Sequence, residues 1–206
     1  MNEELVYRGL TLVILVTIFS ISATFRRRAD REGGALQGEN GLRLVMVLRL
    51  LSLLVLLPLL GYLINPAWVA WARLDLPDWT RWLGAAGGAL AVPLAAWVLS
   101  SIGTNISPSH ATREEHRLIT HGPYRWVRHP LYSAGLLLCV SLTLLTALWT
   151  LGVGMLIPLA VLLWRTPREE ARLFEAFGDE YRAYMRRTGR FFPRLSAFLG
   201  RRAAYD

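Results

Sequence analysis

Five apolar runs, at about residues 5 to 25, 44 to 64, 82 to 102, 131 to 147 and 150 to 164, restrict this chain more than any other feature. The first three are each long enough to span a bilayer alone. The stretch from Leu131 to Trp164 is too long for one span and barely enough for two at about 1.5 Å per residue, which predicts a tight helical hairpin turning near Thr146 to Thr150. Pro58, Pro93 and Pro158 lie inside runs, where they kink a helix without ending it. With 53% hydrophobic residues and a mean hydropathy of +0.34, the chain is too apolar for one soluble domain that must cover itself with polar surface. The expected fold class is all-α: a polytopic integral membrane protein of about five transmembrane helices, with a hairpin of the fourth and fifth and a cytoplasmic C-terminal helix. Residues 1–81 are read as an N-terminal transmembrane region and 82–206 as the region that carries function.

Charge sets the expected orientation. All 23 basic residues are arginine, within a net charge of +8. With the N-terminus outside, the outer segments hold Arg8, Arg73 and Arg81, and the other 20 arginines fall on or near the cytoplasmic side. Trp68, Trp71, Trp79 and Trp82 gather around the outer loop, as an interfacial aromatic belt does. The arginines sit in short stretches between apolar runs, which suits anionic headgroups; no soluble basic face is left for nucleic acid, and no nucleic-acid partner is expected. The N-terminus begins Met-Asn-Glu-Glu without a basic leader, so the first run is expected to stay as a helix. The chain is therefore expected in the inner or cell membrane, with residues 165 to 206 in the cytoplasm. Cys139, the only cysteine, lies in an apolar run and reads as a packing residue.

Two polar segments are too specific to be connectors. The first, residues 110 to 132, reads HATREEHRLITHGPYRWVRHPLY. Its histidines, His110, His116, His121 and His129, follow one another at spacings of six, five and eight, which do not place ligands on one helix face, so no metal is expected. Gly122-Pro123 forces a turn, and Pro130 opens the fourth helix after a residue held extended. The second segment runs from Arg165 to Pro193. There Leu173, Phe174, Phe177, Tyr181 and Tyr184 recur at helical spacing, so an aromatic face packs on something apolar while Arg172, Glu175 and Asp179 stay wet. Arg165, Glu169 and Glu170 stand at the mouth of the fifth helix, where ionised groups are costly and usually functional. Arg165 and Glu169 are also spaced to pair with each other.

HRLITHGPYRWVRHPLY, followed some thirty residues later by R-x-x-x-E-E-x-x-L-x-x-x-F-G-x-x-Y-x-x-Y, resembles the isoprenylcysteine carboxyl methyltransferase family, especially its short five-helix prokaryotic members. The resemblance covers roughly residues 82 to 193. It implies an S-adenosylmethionine (SAM) pocket on the cytoplasmic side, closed by the loop, the hairpin and the C-terminal segment. Carried over by motif, it implies that His116, Arg117, Leu118 and Ile119 line the cofactor. Tyr124, His129, Pro130, Leu131 and Tyr132 would complete the pocket, Glu169 would contact the cofactor, and Arg165 would face the reacting group of the substrate. One departure stands out: the glycine usually two places after the motif tyrosine is here three places on, at Gly135.

The residues agree with this for their own reasons. A sulfonium cation needs carboxylate and aromatic faces, which Glu169, Tyr124 and Tyr132 can supply. No glycine-rich loop opens a helix after a strand, which excludes a soluble-type methyltransferase domain. The expected reaction is SAM-dependent methyl transfer to a lipophilic acceptor that enters from the bilayer among membrane lipids. The resemblance implies a prenylated cysteine carboxylate. A phospholipid, an isoprenoid acid or a small thiol stays open as acceptor, as do an NADPH-dependent sterol-type reductase and a non-catalytic membrane protein of the same fold.

Overall fold

The computed structural model describes residues 3–32, 41–103 and 118–194, and these form five long helices. They are α1 (Glu3–Glu32), α2 (Gly41–Ile64), α3 (Asp78–Ile102), α4 (Pro130–Thr146) and α5 (Trp149–Arg187). Two short 3-10 helices, Pro66–Ala72 and Gly122–Arg125, lie in the connections. The fold is all-α and polytopic. Glu3–Ala29, Asp78–Ile102 and Trp149–Arg187 are each long and apolar enough to cross a membrane, and Ser52–Ile64 and Pro130–Thr146 are shorter apolar helices. Large apolar side chains face outward along the bundle, Phe19, Leu57 and Leu90 among them, each more than half exposed. Such a surface suits hydrocarbon and would be untenable in water.

The hairpin between α4 and α5 turns at Ala147 and Leu148, where the sequence pattern places it. Ala147 adopts a left-handed conformation with φ 54°, and its carbonyl accepts from the Leu74 amide at 2.7 Å. This tight turn lets the 17-residue α4 and the start of α5 share one apolar stretch. Beyond the apolar part, α5 runs straight on into the expected C-terminal helical segment. The two together make 39 residues interrupted at Gly178, whose φ of 51° and ψ of −123° a side chain resists. At about 1.5 Å per residue, some 20 residues already cross about 30 Å of hydrocarbon, so α5 emerges near Arg168 and carries Glu169 and Glu170 at the boundary.

Helix α3 holds the bundle together, packing on α1 and most extensively on α4. Small residues make this possible. A Cβ at Gly84 would lie 2.4 Å from the Leu145 amide nitrogen and 2.6 Å from the Ser141 carbonyl oxygen, so the α3 and α4 backbones touch there. Gly88 presents the same closeness to Ile14 of α1. Without a hydrophobic drive between helices in lipid, such close van der Waals approach is what associates them. The core proper lies at the tryptophan-rich end, around Tyr7, Ile14, Tyr62, Leu145 and Leu151. Trp68, Trp71, Trp79 and Trp82 are all at least half exposed around it, as the belt pattern predicts.

Arg81, expected as an outer-loop charge, is instead buried within that end, only 4% exposed. It binds Glu4 in two-pronged fashion at 2.9 and 3.1 Å, donates to the Tyr62 hydroxyl and to the Leu145 carbonyl at 3.0 Å each, and lies 3.8 Å above the Tyr7 ring. One guanidinium thus joins α1, α2, α3 and α4. Hydropathy counting treats arginine as a surface marker, and only the surrounding tyrosines and glutamate hint at burial.

Candidate functional site

At the opposite, arginine-rich end, three segments meet: the loop 118–129, the emerging part of α5, and the tail after it. The tail returns because Gly178 redirects the chain and Gly189 turns it again; a Cβ at Gly189 would collide with the Phe192 carbonyl. The returning strand-like stretch then pairs with the loop. The Gly189 amide donates to the Trp126 carbonyl at 2.9 Å, the Arg128 amide to the Gly189 carbonyl at 2.9 Å, and the His129 amide to the Arg190 carbonyl at 3.0 Å. These bonds seat the loop on the tail before any side chain is considered. The loop is also pinned to α3, where the Trp97 and Trp126 rings stand edge to face at 5.7 Å.

Glu170 lies at the centre of the charged groups. Its carboxylate, 8% exposed, accepts from Arg128 Nε at 2.9 Å, lies 3.4 Å from His129 Nε2, and binds Arg190 through both oxygens, with Nε at 3.1 to 3.2 Å. Arg128 also donates to the Thr188 and Met185 carbonyls, so it closes the C-terminal end of α5. Arg190 is held more firmly cationic than usual by its hydrogen bond to Glu170. The sequence pattern places Glu170 at the mouth of the fifth helix but assigns it no partner, and it gives no role to Arg128 or Arg190. The available signal was the adjacent Glu169-Glu170 pair: on a helix two neighbours face about 100° apart, so they serve different partners.

Glu169 indeed faces elsewhere. It accepts a hydrogen bond from the Tyr132 hydroxyl at 3.1 Å, and no ion pair joins it to Arg165 among the described residues. Tyr132 stacks on His129 with ring centroids 5.4 Å apart and planes 7° from parallel, and Phe191 tilts against both at 5.8 and 6.3 Å. An aromatic wall therefore stands beside a carboxylate that has one protein hydrogen bond among the described residues, where a carboxylate offers about four acceptor sites. Arg165, one turn before Glu169 and half buried, lies near enough to feel both Tyr132 and Glu169 electrostatically. Tyr124 is buried under the site, its carbonyl accepting from the Tyr184 hydroxyl at 2.7 Å, and burial pushes its phenol well above the usual range. Tyr181, 1% exposed, presents a hydroxyl without a hydrogen-bond partner among the described residues.

Of the residues carried over by motif, Tyr124, His129, Tyr132, Arg165 and Glu169 come together here. Pro130 is buried at the first position of α4 and sets its start. Leu131 points the other way, toward α1 and α3. Leu118 and Ile119 lie half buried in an irregular stretch leading to the Gly122 turn. His116 and Arg117, and with them His110, lie outside the described residues. Among the described residues no group of three His, Cys, Asp or Glu side chains could hold a metal ion. Leu173, Phe174 and Phe177 are half buried and Tyr181 and Tyr184 buried, while Arg172, Glu175 and Asp179 are exposed, as the helical spacing predicts.

Comparison with known proteins points to the same segment. Residues 87–175 match the isoprenylcysteine carboxyl methyltransferase (ICMT) family. The chain is 35% identical over 88 residues to the cobalt-zinc-cadmium resistance protein CzcN of Cupriavidus metallidurans, covering 43% of this chain and 41% of that protein. It is 37% identical over 86 residues to the nickel-cobalt-cadmium resistance protein NccN of Alcaligenes xylosoxydans xylosoxydans, covering 42% and 40%. To a probable protein-S-isoprenylcysteine O-methyltransferase of Oryza sativa subsp. indica it is 36% identical over 83 residues, covering 34% and 38%. The chain thus spans about two fifths of the length of these relatives. The family match ends at 175, so Tyr181, Tyr184 and Arg190 enter the site on geometry alone. The segment 87–175, which supplies most of α3, the loop, the hairpin and both glutamates, is the part of the chain that is similar to the isoprenylcysteine carboxyl methyltransferase family.

Proposed function

We propose that this protein is a membrane-embedded, SAM-dependent methyltransferase acting on a lipophilic acceptor, with the site at the arginine-rich end of the bundle. The observation that carries this reading is the half-satisfied Glu169 beside the stacked His129 and Tyr132 rings, all three within the segment that matches the family, with Phe191 of the tail tilted against both rings. The donor set suits the cofactor: a sulfonium cation is stabilised by a carboxylate and by aromatic faces, above all where water is scarce. SAM, when bound, supplies an electrophilic methyl group for in-line displacement. What the chain itself does is bind, orient and exclude water. Glu169 provides the counter-charge and the aromatic rings the wall. Glu170, by holding Arg128 and Arg190, keeps loop and tail in register so that the wall does not open. Holding the two reactants aligned supplies much of the acceleration in such a displacement.

Arg165 is assigned to the acceptor. It sits near the membrane boundary on α5, where a guanidinium reaches toward the headgroup plane and pairs two-pronged with a carboxylate or phosphate. The orientation that suits this chemistry puts the arginine-rich end in the cytoplasm and the N-terminus outside, with all five helices spanning. Arginine asymmetry supports that orientation. The acceptor is proposed as an amphiphile with an anionic group, a prenylated cysteine carboxylate by family analogy.

Titration of SAM, S-adenosylhomocysteine and NADPH into the purified protein in detergent tests the cofactor, and radiolabelled methyl transfer from SAM into a total lipid and protein extract tests the reaction. Binding of the two adenosyl compounds with label in one lipophilic product is expected. Tighter binding of NADPH would replace the reading with a reductase; adenosyl binding with no labelled product would leave a non-catalytic binding protein.

A further inference from the structure

On the face of α4 turned away from the glutamates lies a cavity of about 310 Å³, enclosed by α1, α3 and α4. We infer that it holds one acyl chain of an anionic glycerophospholipid whose phosphate is taken by Arg26. From α1, Ile18, Ser22 and Arg26 line it at four-residue spacing, one helix face. From α3 come the small side chains of Ala91 and Ala95, which leave room between the helices. From α4 come Leu131, Gly135 and Leu138; a Cβ built on Gly135 meets nothing within 4 Å, so the space reaches the backbone there. The displaced glycine of the motif thus opens this groove.

The lining selects the ligand. It is apolar along most of its length and ends in Arg26, exposed in the last turns of α1 and followed by exposed Arg27. Near a membrane surface each basic residue attracts anionic lipid by about 1 kcal/mol. An alkyl chain with an anionic head at one end matches such a groove. The acceptor of methyl transfer does not fit as occupant, because His129, Tyr132 and Ser133 occupy the opposite stripe of α4, against Phe191 and Glu169. The inference does not depend on the methyltransferase reading.

Native mass spectrometry of the delipidated protein, titrated with phosphatidylglycerol and with phosphatidylcholine of matched chains, provides the test. Phosphatidylglycerol should bind at least tenfold more tightly. Arg26→Gln should reduce that preference about fivefold, the loss of one basic contact. Gly135→Leu and, independently, Leu138→Trp should fill the groove and weaken both lipids tenfold or more, with thermal unfolding showing that each variant is folded. Equal binding of the two lipids, an unchanged preference in Arg26→Gln, or unchanged occupancy in a folded groove variant would overturn the proposal. Competitive displacement of the phospholipid by S-farnesylcysteine would give the groove to the acceptor and overturn it as well.

Discussion

The two ends of this molecule each hold a carboxylate among arginines, yet they are built for different purposes. At the tryptophan-rich end Glu4 and Arg81 satisfy each other, and the remaining donor capacity of Arg81 goes to Tyr62 and the Leu145 carbonyl. These partners come from four helices that are packed for other reasons, Arg73 of the α2–α3 connection adds a further ion pair to Glu4, and the group is closed. At the arginine-rich end Glu170 is equally saturated, but its partners Arg128 and Arg190 come from a loop and a tail. Its neighbour Glu169 keeps spare acceptor capacity against an aromatic wall. The closed cluster fastens the bundle. The open one is fastened only as far as a ligand needs, which is the pattern expected where binding free energy completes the structure.

The sharpest way to break the comparison is at the closed end. Arg81→Met leaves the part-buried Glu4 with only the half-exposed Arg73 as ion partner, and removing the buried member of such a pair costs on the order of 3 kcal/mol. Thermal unfolding in detergent should therefore move down more for this variant than for any at the other end. The double variant Glu4→Gln, Arg81→Met should regain part of the loss, since no uncompensated charge remains. S-adenosylhomocysteine affinity of the folded fraction should be unchanged in both, because the cluster lies at the opposite end of the bundle from the site.

Glu170→Gln comes next. It weakens the bonds to Arg128 and Arg190 while keeping the shape, and Arg190 is partly exposed, so a loss of about 2 kcal/mol is expected. Here stability and cofactor affinity should fall together, because the same bonds hold loop to tail. A loss of stability with intact S-adenosylhomocysteine binding would make Glu170 a second closed cluster and erase the distinction between the two ends.

Glu169→Gln should separate the two properties instead. The apo protein should unfold at nearly the wild-type temperature, because only the Tyr132 hydroxyl bond changes. SAM should bind more weakly by about 1 to 2 kcal/mol, read by calorimetric titration, as the direct counter-charge is lost. An unchanged dissociation constant would remove Glu169 from the site.

Much of this was legible in residue order. Apolar run lengths locate the five helices and the hairpin turn, because in lipid every backbone group must be satisfied within a helix. The loop and C-terminal motifs bring Tyr124, His129, Tyr132 and Glu169 to one place. What stayed hidden depends on tertiary approach. Arg81 is buried because four helices converge on it, which no hydropathy window registers. Gly178 reads as a helix end, yet its positive φ lets α5 bend and send Arg190 back to Glu170. Leu131, taken with its neighbours as one stretch, parts from Tyr132 because successive helix positions face different neighbours.

The smallest effect on stability and on cofactor affinity is expected at Arg165, and it bears most directly on what the open end is open to. Arg165 lies close to Tyr132 and Glu169 but forms no ion pair with Glu169 among the described residues. A site already receiving a sulfonium cation gains nothing from a second cation unless an anionic group arrives with the acceptor. Arg165→Ala should therefore leave the unfolding temperature and SAM affinity nearly as they are, while lowering turnover at least tenfold at subsaturating acceptor. Arg165→Lys should restore little of it, because a point charge does not reproduce the two-pronged contact of a guanidinium with a carboxylate or phosphate. Turnover on an acceptor and its uncharged methyl ester or amide analogue distinguishes the roles, since only the anionic acceptor should feel the substitution. Loss of SAM binding together with a lower unfolding temperature in Arg165→Ala would show that Arg165 fastens Glu169 after all, and the anionic acceptor would lose its support.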